Sequence, residues 1–235
     1  MKKMYTVLAA TLFCGALLFA SCGKDDNGDN GSGDPETLQW VDLGLPSGLQ
    51  WADRNVGASK PDDYGSYFSW AETEPKESYG WDTYRYCTYK DGIAGPVYDQ
   101  ITKYNTIEGY GPVDNKTVLE EMDDAATANI GGDAYTPTLE DWQELKDNTT
   151  HEYTTKNGVN GLKLTGPNGN SIFLPAAGTK KLPTSIGTKG YYWSADLNPE
   201  YPTEGKFFFF SASKVDTGAK VRNDGLTVRA VRAGK

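Results

Sequence analysis

The sequence predicts an α+β domain built around an antiparallel sheet. Two stretches in mid-chain carry a helical apolar period. The last third alternates apolar segments with turn residues, as hairpins do. A long aromatic stretch without any period separates the first apolar segment from the helices. A hairpin, loops, two helices and then several strands is an α+β order, not an alternating one.

"WVDLGLPSGLQW", residues 40–51, reads as a hairpin in which Leu43 and Leu45 face Leu49 and Trp51 around Pro46-Ser47-Gly48. Residues 52–111 hold Trp70, Trp81 and many tyrosines, and read as long loops pinned by aromatic anchors. Val118 to Asn129 is the first predicted helix, with Val118, Met122, Ala125 and Ala126 on one face and Gly131-Gly132 closing it. The second begins "TPTLEDWQELKDN". Thr138 is its N-cap, Asp141 sits three residues on, and Leu139, Trp142 and Leu145 form the apolar stripe. Lys146 falls in the last turn, where a cation suits the helix dipole.

"GLKLTGPNGNSIFLPAAG" predicts a hairpin: Leu162 and Leu164, a turn at Asn168-Gly169, then Ile172, Phe173 and Leu174. "YYWS" (191–194), "FFFF" (207–210) and "LTVRAVR" (226–232) predict three more strands. Neither solenoid repeats nor coiled-coil heptads occur.

The N-terminus is of another kind. Lys2 and Lys3 precede an apolar run from Val7 to Ala20, too short to span a bilayer. Its ending, Ala20-Ser21-Cys22, resembles a bacterial lipoprotein box. Residues 1–21 are therefore expected to leave as a signal peptide, with palmitate-type lipid on Cys22 anchoring the chain in the outer membrane. Residues 22–37 are Gly-, Asp- and Asn-rich and read as a disordered acidic tether, roughly 20 Å in root-mean-square span. Lys24-Asp25-Asp26 resembles the export tag of Bacteroidetes lipoproteins shown on the cell surface. The folded domain is expected over residues 38–235.

Lys plus Arg number 23 against 32 Asp plus Glu, a net charge of −9. Cleavage would remove Lys2 and Lys3 and make the chain more acidic still. That balance argues against nucleic acid, whose phosphates require a basic footprint. It gives anionic lipid no hold either, so membrane attachment rests on Cys22. Cys87 is the one cysteine left beyond Cys22, so no disulfide within the folded part is possible, and a small buried hydrophobe is its expected role.

Five ordered segments resemble a known family: "VDLGLPSGLQWADRNVGASKPDDYGSYFSWAET", "VDNKTVLEEMDDAA", "PTLEDWQEL", "NGVNGLKLTGPNGNSIFLPAAG" and "GYYWSA…VRAVR". Together, from about Trp40 to Arg232, they are similar to the Fibrobacter succinogenes major paralogous domain of Bacteroidetes lipoproteins. The resemblance implies a C-type-lectin-like fold, distantly similar to formylglycine-generating sulfatase-modifying enzymes. Two helices would flank a twisted antiparallel sheet, with long aromatic-rich loops. The terminal strands would pair, Trp40-Val41 with Val228 to Val231. A ligand surface would lie on the strands and loops after "YYWS". The disulfides and the calcium-and-sugar tripeptides of animal lectins are absent.

Catalytic residues are not expected. His151, the single histidine, is read in a Thr-rich loop with neither Cys nor a second His to complete a zinc set. G-x-S-x-G is missing, and Cys87 alone cannot supply the cysteine pair of the sulfatase-modifying relatives. Glu72 with Glu74, and Asp123 with Asp124, read as surface charge and loop hydrogen bonds rather than a glycosidase pair. Asp25, Asp26, Asp29 and Asp34 lack EF-hand spacing, so neither metal nor cofactor is expected.

Family members carry x-Leu-x-Phe at the four phenylalanines, which implies Phe208 and Phe210 inward. Period two then turns Phe207 and Phe209 to the other face. That face is either covered by another element or an exposed aromatic binding patch. Asp196, Asn198, Glu200 and Tyr201, in the loop after "YYWS", match positions where relatives vary. So do Asp216, Lys220, Asn223 and Asp224, on the hairpin before the last strand. Arg229 and Arg232 read as structural, binding carbonyls or acids. The expected function is a surface-exposed, non-enzymatic binding module for a protein or glycan ligand, monomeric and adhesin-like. A sulfatase-modifying-like or glycan-active enzyme, or a fimbrial or envelope component, are the alternatives.

Overall fold

The computed structural model describes residues 37–88 and 100–234. The predicted leader 1–21, Cys22 and the tether with its acids lie outside the described residues, apart from Thr37.

The chain opens with strands β1 (Trp40–Asp42), β2 (Gln50–Asn55) and β3 (Tyr67–Phe68). Helices α1 (Ala125–Ile130) and α2 (Leu139–Asn148) follow, then β4 (Thr150–Lys156), β5 (Val159–Thr165) and β6 (Ser171–Pro175). The last third holds β7 (Lys189–Leu197), β8 (Glu204–Ser211), β9 (Lys214–Val221), β10 (Leu226–Thr227) and β11 (Arg229–Arg232). This is α+β and mostly strand. The strands form three sheets, ordered β1-β2-β11, β3-β10-β7-β8-β9 and β4-β5-β6. Every pairing is antiparallel except β10 with β7.

The capping box of α2 is present as predicted. Thr138 accepts from Asp141 N–H at 3.1 Å, and the Asp141 carboxylate accepts from Thr138 N–H at 2.8 Å. Trp142 and Leu145 are fully buried. The hairpin of β5 and β6 also matches, with Leu162 opposite Leu174 and Leu164 opposite Ile172.

Several expectations need correction. The first hairpin pairs Val41 with Trp51, and Leu43 and Leu45 sit in its connection, tucked into the core instead of facing Leu49 and Trp51. The first helix is shorter than Val118 to Asn129. A 3-10 turn covers Glu121–Asp123, Asp124 caps the helix, and only Ala125–Ile130 is α-helical. Val118 and Met122 are 46 % and 70 % exposed, because they precede the helix and share no face with buried Ala125 and Ala126. His151 is on strand β4, not in a loop. The terminal strands do not pair: β11 bonds to β2, which stands between it and β1. Strand β2 is the longer and offers six residues, so it takes the central place.

Two cores lie on opposite sides of β7 and β8. On one side Trp142 of α2 stacks on Phe208, centroids 4.6 Å apart and planes 11° apart, with Trp51, Tyr192, Phe210 and Leu162 around them. On the other, Trp193 joins Phe68, Trp70, Leu226 and Val228. A strand pair buried on one face and partly covered on the other reads as a near-continuous apolar run, which accounts for "YYWS" and "FFFF". Buried Arg229 binds the carbonyls of Ala52 and Phe173 at 2.8 Å each and Asn55 Oδ1 at 3.0 Å. Burial lowers its pKa to about 10, still a cation at neutral pH. Arg232 binds Gln50 and lies over Trp40.

Candidate ligand surface

The register of β7, β8 and β9 sets cross-strand rows on the face away from α2. One row is Tyr191, Phe209 and Asp216; the next is Trp193, Phe207 and Gly218. Trp193 is buried, and its indole N–H donates to Phe68 carbonyl at 2.7 Å. Phe207 and Phe209 are half-buried, as is Tyr191. The Tyr191 ring lies 4.9 Å from that of Phe209 and 5.6 Å from that of Phe207. The second face is therefore covered at the Trp193 end, where Trp70 lies against Gly205, and opens toward Phe209.

A cation borders the rings. Lys220 stands opposite Gly205, which has no side chain to block it, and its Nζ lies 5.8 Å from the Tyr191 centroid. The same Nζ is 3.2 Å from Asp224 Oδ2. Burial, with Asp224 nearby, pushes the Tyr191 hydroxyl above its ordinary pKa, so the ring meets a ligand uncharged.

Asn223 and Asp224 are buried and cannot touch a ligand as they stand. Asp224 accepts from the N–H of Gly225 (2.7 Å) and Lys181 (3.0 Å), which fixes the turn into β10. Asn223 Oδ1 accepts from Lys181 Nζ at 2.6 Å. Burial, then Lys220 and Lys76, hold Lys181 below the usual lysine range, against the pull of Asp224. Asp216 lies on β9, where Lys214 at 2.7 Å and Thr217 N–H hold its carboxyl low.

The other predicted group lies apart from the rings. Asp196 belongs to β7 rather than to a loop, and accepts from Leu139 N–H at the start of α2 (2.5 Å). Burial raises its pKa. Asn198 is buried and donates to Glu204 at 2.9 Å, tying the β7–β8 connection. Glu200 and Tyr201 are exposed on that connection, Tyr201 by 55 %. The structure thus gathers Phe207, Phe209, Lys220 and Asp216 with Tyr191, and leaves Asp196, Asn198, Glu200 and Tyr201 out. Tyr191 went unassigned because only the register with β8 shows which rings it joins.

Of the four carboxylates read as surface charge and loop hydrogen bonds, Glu72, Asp123 and Asp124 are buried. Asp123 accepts from Tyr86, from Tyr104 (2.7 Å) and from Lys103. Burial alone would raise its pKa, but these three donors outweigh that and lower it. Burial and Asp123 push the Tyr86 hydroxyl up to about 12. Asp124 binds Ala126 N–H and Thr136 N–H, each at 2.8 Å. Glu72 accepts from Arg85 N–H at 2.7 Å and pairs with Lys76 at 2.6 Å, while Glu74 is exposed. Cys87 is a half-buried free thiol near Trp81, Tyr84 and Ile101, its pKa raised by burial.

No family model matches this chain. Nor does any curated protein or any solved structure. The surface itself carries the functional reading: three partly buried rings on paired strands, beside one amino group, with the acids around them already bonded.

Proposed function

We propose that the folded domain is a non-enzymatic ligand-binding module of the C-type-lectin-like kind, as in the major paralogous domains it resembles. Lipid on Cys22 holds it at the cell surface of the outer membrane. Its ligand is a protein or glycan, met through Tyr191, Phe207 and Phe209 with Lys220 and Asp216 at the border.

One observation carries this reading. Residues of one parity on β7 and β8 are deeply buried at Trp193 yet only partly buried at Tyr191, Phe207 and Phe209. Apolar area left open in that way marks an interaction site more often than a defect of packing. Flat rings suit the faces of sugars and the apolar side chains of protein hot spots. A binding role is also favoured by the state of the acids once weighed as catalysts, since Glu72 and Asp123 are held in loop hydrogen bonds.

Glycan arrays and whole-cell binding test it, with the wild type beside Phe207→Ala/Phe209→Ala. The double substitution is expected to weaken binding tenfold or more, about 1.4 kcal/mol. Equal binding by both would end the aromatic-face reading. Protease shaving of intact cells tests display at the surface, where a protected chain would contradict it.

A further inference from the structure

β9 is the outer strand of its sheet. No main-chain hydrogen bond joins Val215, Thr217 or Ala219 to a described residue outside β8. Thr217 N–H is met by the neighbouring Asp216 carboxylate at 2.9 Å. The two-residue turn Ala212-Ser213 sets the parity of the strand. Lys214, Asp216, Gly218 and Lys220 bond to β8, so Val215, Thr217 and Ala219 turn N–H and C=O outward, while at the strand's end the Val221 C=O is taken by Asp224 N–H at 3.0 Å. An outer strand of eight residues with an open ladder is a template for another strand.

We propose that β9 pairs with β9 of a second copy of this chain, antiparallel, about a two-fold axis through Gly218. The register follows from parity and charge. Outward groups must meet outward groups, which forbids odd shifts. With Gly218 on the axis, Val215 faces Val221, Thr217 faces Ala219, and Asp216 faces Lys220 in both directions. Sliding two residues one way sets Lys214 against Lys220, two like charges. Sliding two the other way leaves Lys220 facing Gly218 and carries Asp216 to buried Arg222.

Existing ion pairs fit this register. Lys214 holds Asp216 at 2.7 Å and Lys220 holds Asp224 at 3.2 Å. Pairing lines up Lys214, Asp216, the second copy's Lys220 and its Asp224 with alternating sign. A foreign strand lacking that pattern would leave these charges unmatched, so the same residues that guard the edge select a second copy. Gly218 on the axis keeps the approach clear, and the Phe207 ring leans over it from each side. Two five-stranded sheets become one, with both sets of Tyr191, Phe207 and Phe209 on the same face.

Sedimentation equilibrium of the full chain, with detergent micelles in excess, tests the pairing by mass. The wild type is expected to pass from one to two copies per particle as concentration rises. Asp216→Lys is expected to weaken association about tenfold or more, and Asp216→Lys with Lys220→Asp to restore it. Thr217→Pro keeps the ladder to β8, because that N–H faces outward, and is expected to abolish association. A wild type that stays at one copy overturns the proposal, as does an Asp216→Lys chain that associates as well as the wild type. The readout is mass, so its failure leaves the ligand reading standing, and loss of ligand binding leaves the pairing standing.

Discussion

The ring of Phe207 occupies the place where Gly218 would carry a side chain: a Cβ built on Gly218 lies 2.8 Å from Phe207 Cζ. The two residues face each other across β8 and β9. Glycine weakens a strand interior, and here the neighbouring ring covers the backbone it leaves bare. Gly190 on β7 stands in a similar relation to Phe210, but on the buried side.

That contrast predicts different costs for one substitution. Gly218→Ala displaces a partly buried ring at the edge of its cluster, and is expected to cost under about 1 kcal/mol. Gly190→Ala presses on a ring locked in the core and is expected to cost about 1–3 kcal/mol. Urea unfolding of the two variants checks it, and equal costs would contradict the assigned faces.

Strand parity predicts a second contrast. Phe208 is fully buried and stacked on Trp142, so Phe208→Ala is expected to cost about 3–5 kcal/mol. Phe209→Ala, on the open face, is expected to cost about 1 kcal/mol or less. The same unfolding measurement decides, and a costlier Phe209→Ala would mean that face is closed.

Asp123 and Asp196 should respond to pH in opposite ways. The folded pKa of Asp123 is lowered, so its stabilisation is present above the unfolded value of about 4 and is lost as pH falls through the folded value. Asp123→Asn is expected to cost about 3 kcal/mol at pH 7, with the deficit shrinking in acid. The folded pKa of Asp196 is raised, so its contribution is present below about 4 and is lost as pH rises through the folded value. Asp196→Asn should therefore lose ground against the wild type in acid. Unfolding free energies from pH 7 down to 3 check both signs.

The described part holds a free thiol and no metal-ligating group of three or more His, Cys, Asp or Glu. Melting with EDTA or with reductant is expected to move the midpoint by less than about 1 °C. A large drop with either would reveal a bound ion or a covalent link.

Legibility followed the range of the forces involved. The α2 cap was legible because Thr138 and Asp141 satisfy each other within one turn. The β5–β6 hairpin was legible because Asn168-Gly169 and the flanking alternation agree. The buried pair Phe208 and Phe210 followed once the family pattern chose the face. Val118 and Met122 misled because a helical period continues on paper past Asp124, where the chain turns into its cap. β9 drew no strand prediction, since "KVDTGAKV" carries charges and a glycine whose partner, Phe207, is on another strand.

By itself the sequence determined what neighbours along the chain decide: the α+β class, the α2 boundaries, the parity of the four phenylalanines, and a net negative charge. Only the tertiary structure decided what lies on each face. Period two tells which side chains share a side of a strand, and nothing in it says what packs there. Trp70 reaching Gly205, and Tyr86, Tyr104 and Lys103 closing on Asp123, are contacts between distant segments. They bury Trp193 and Asp123, while Tyr191 and Phe209 stay only partly buried.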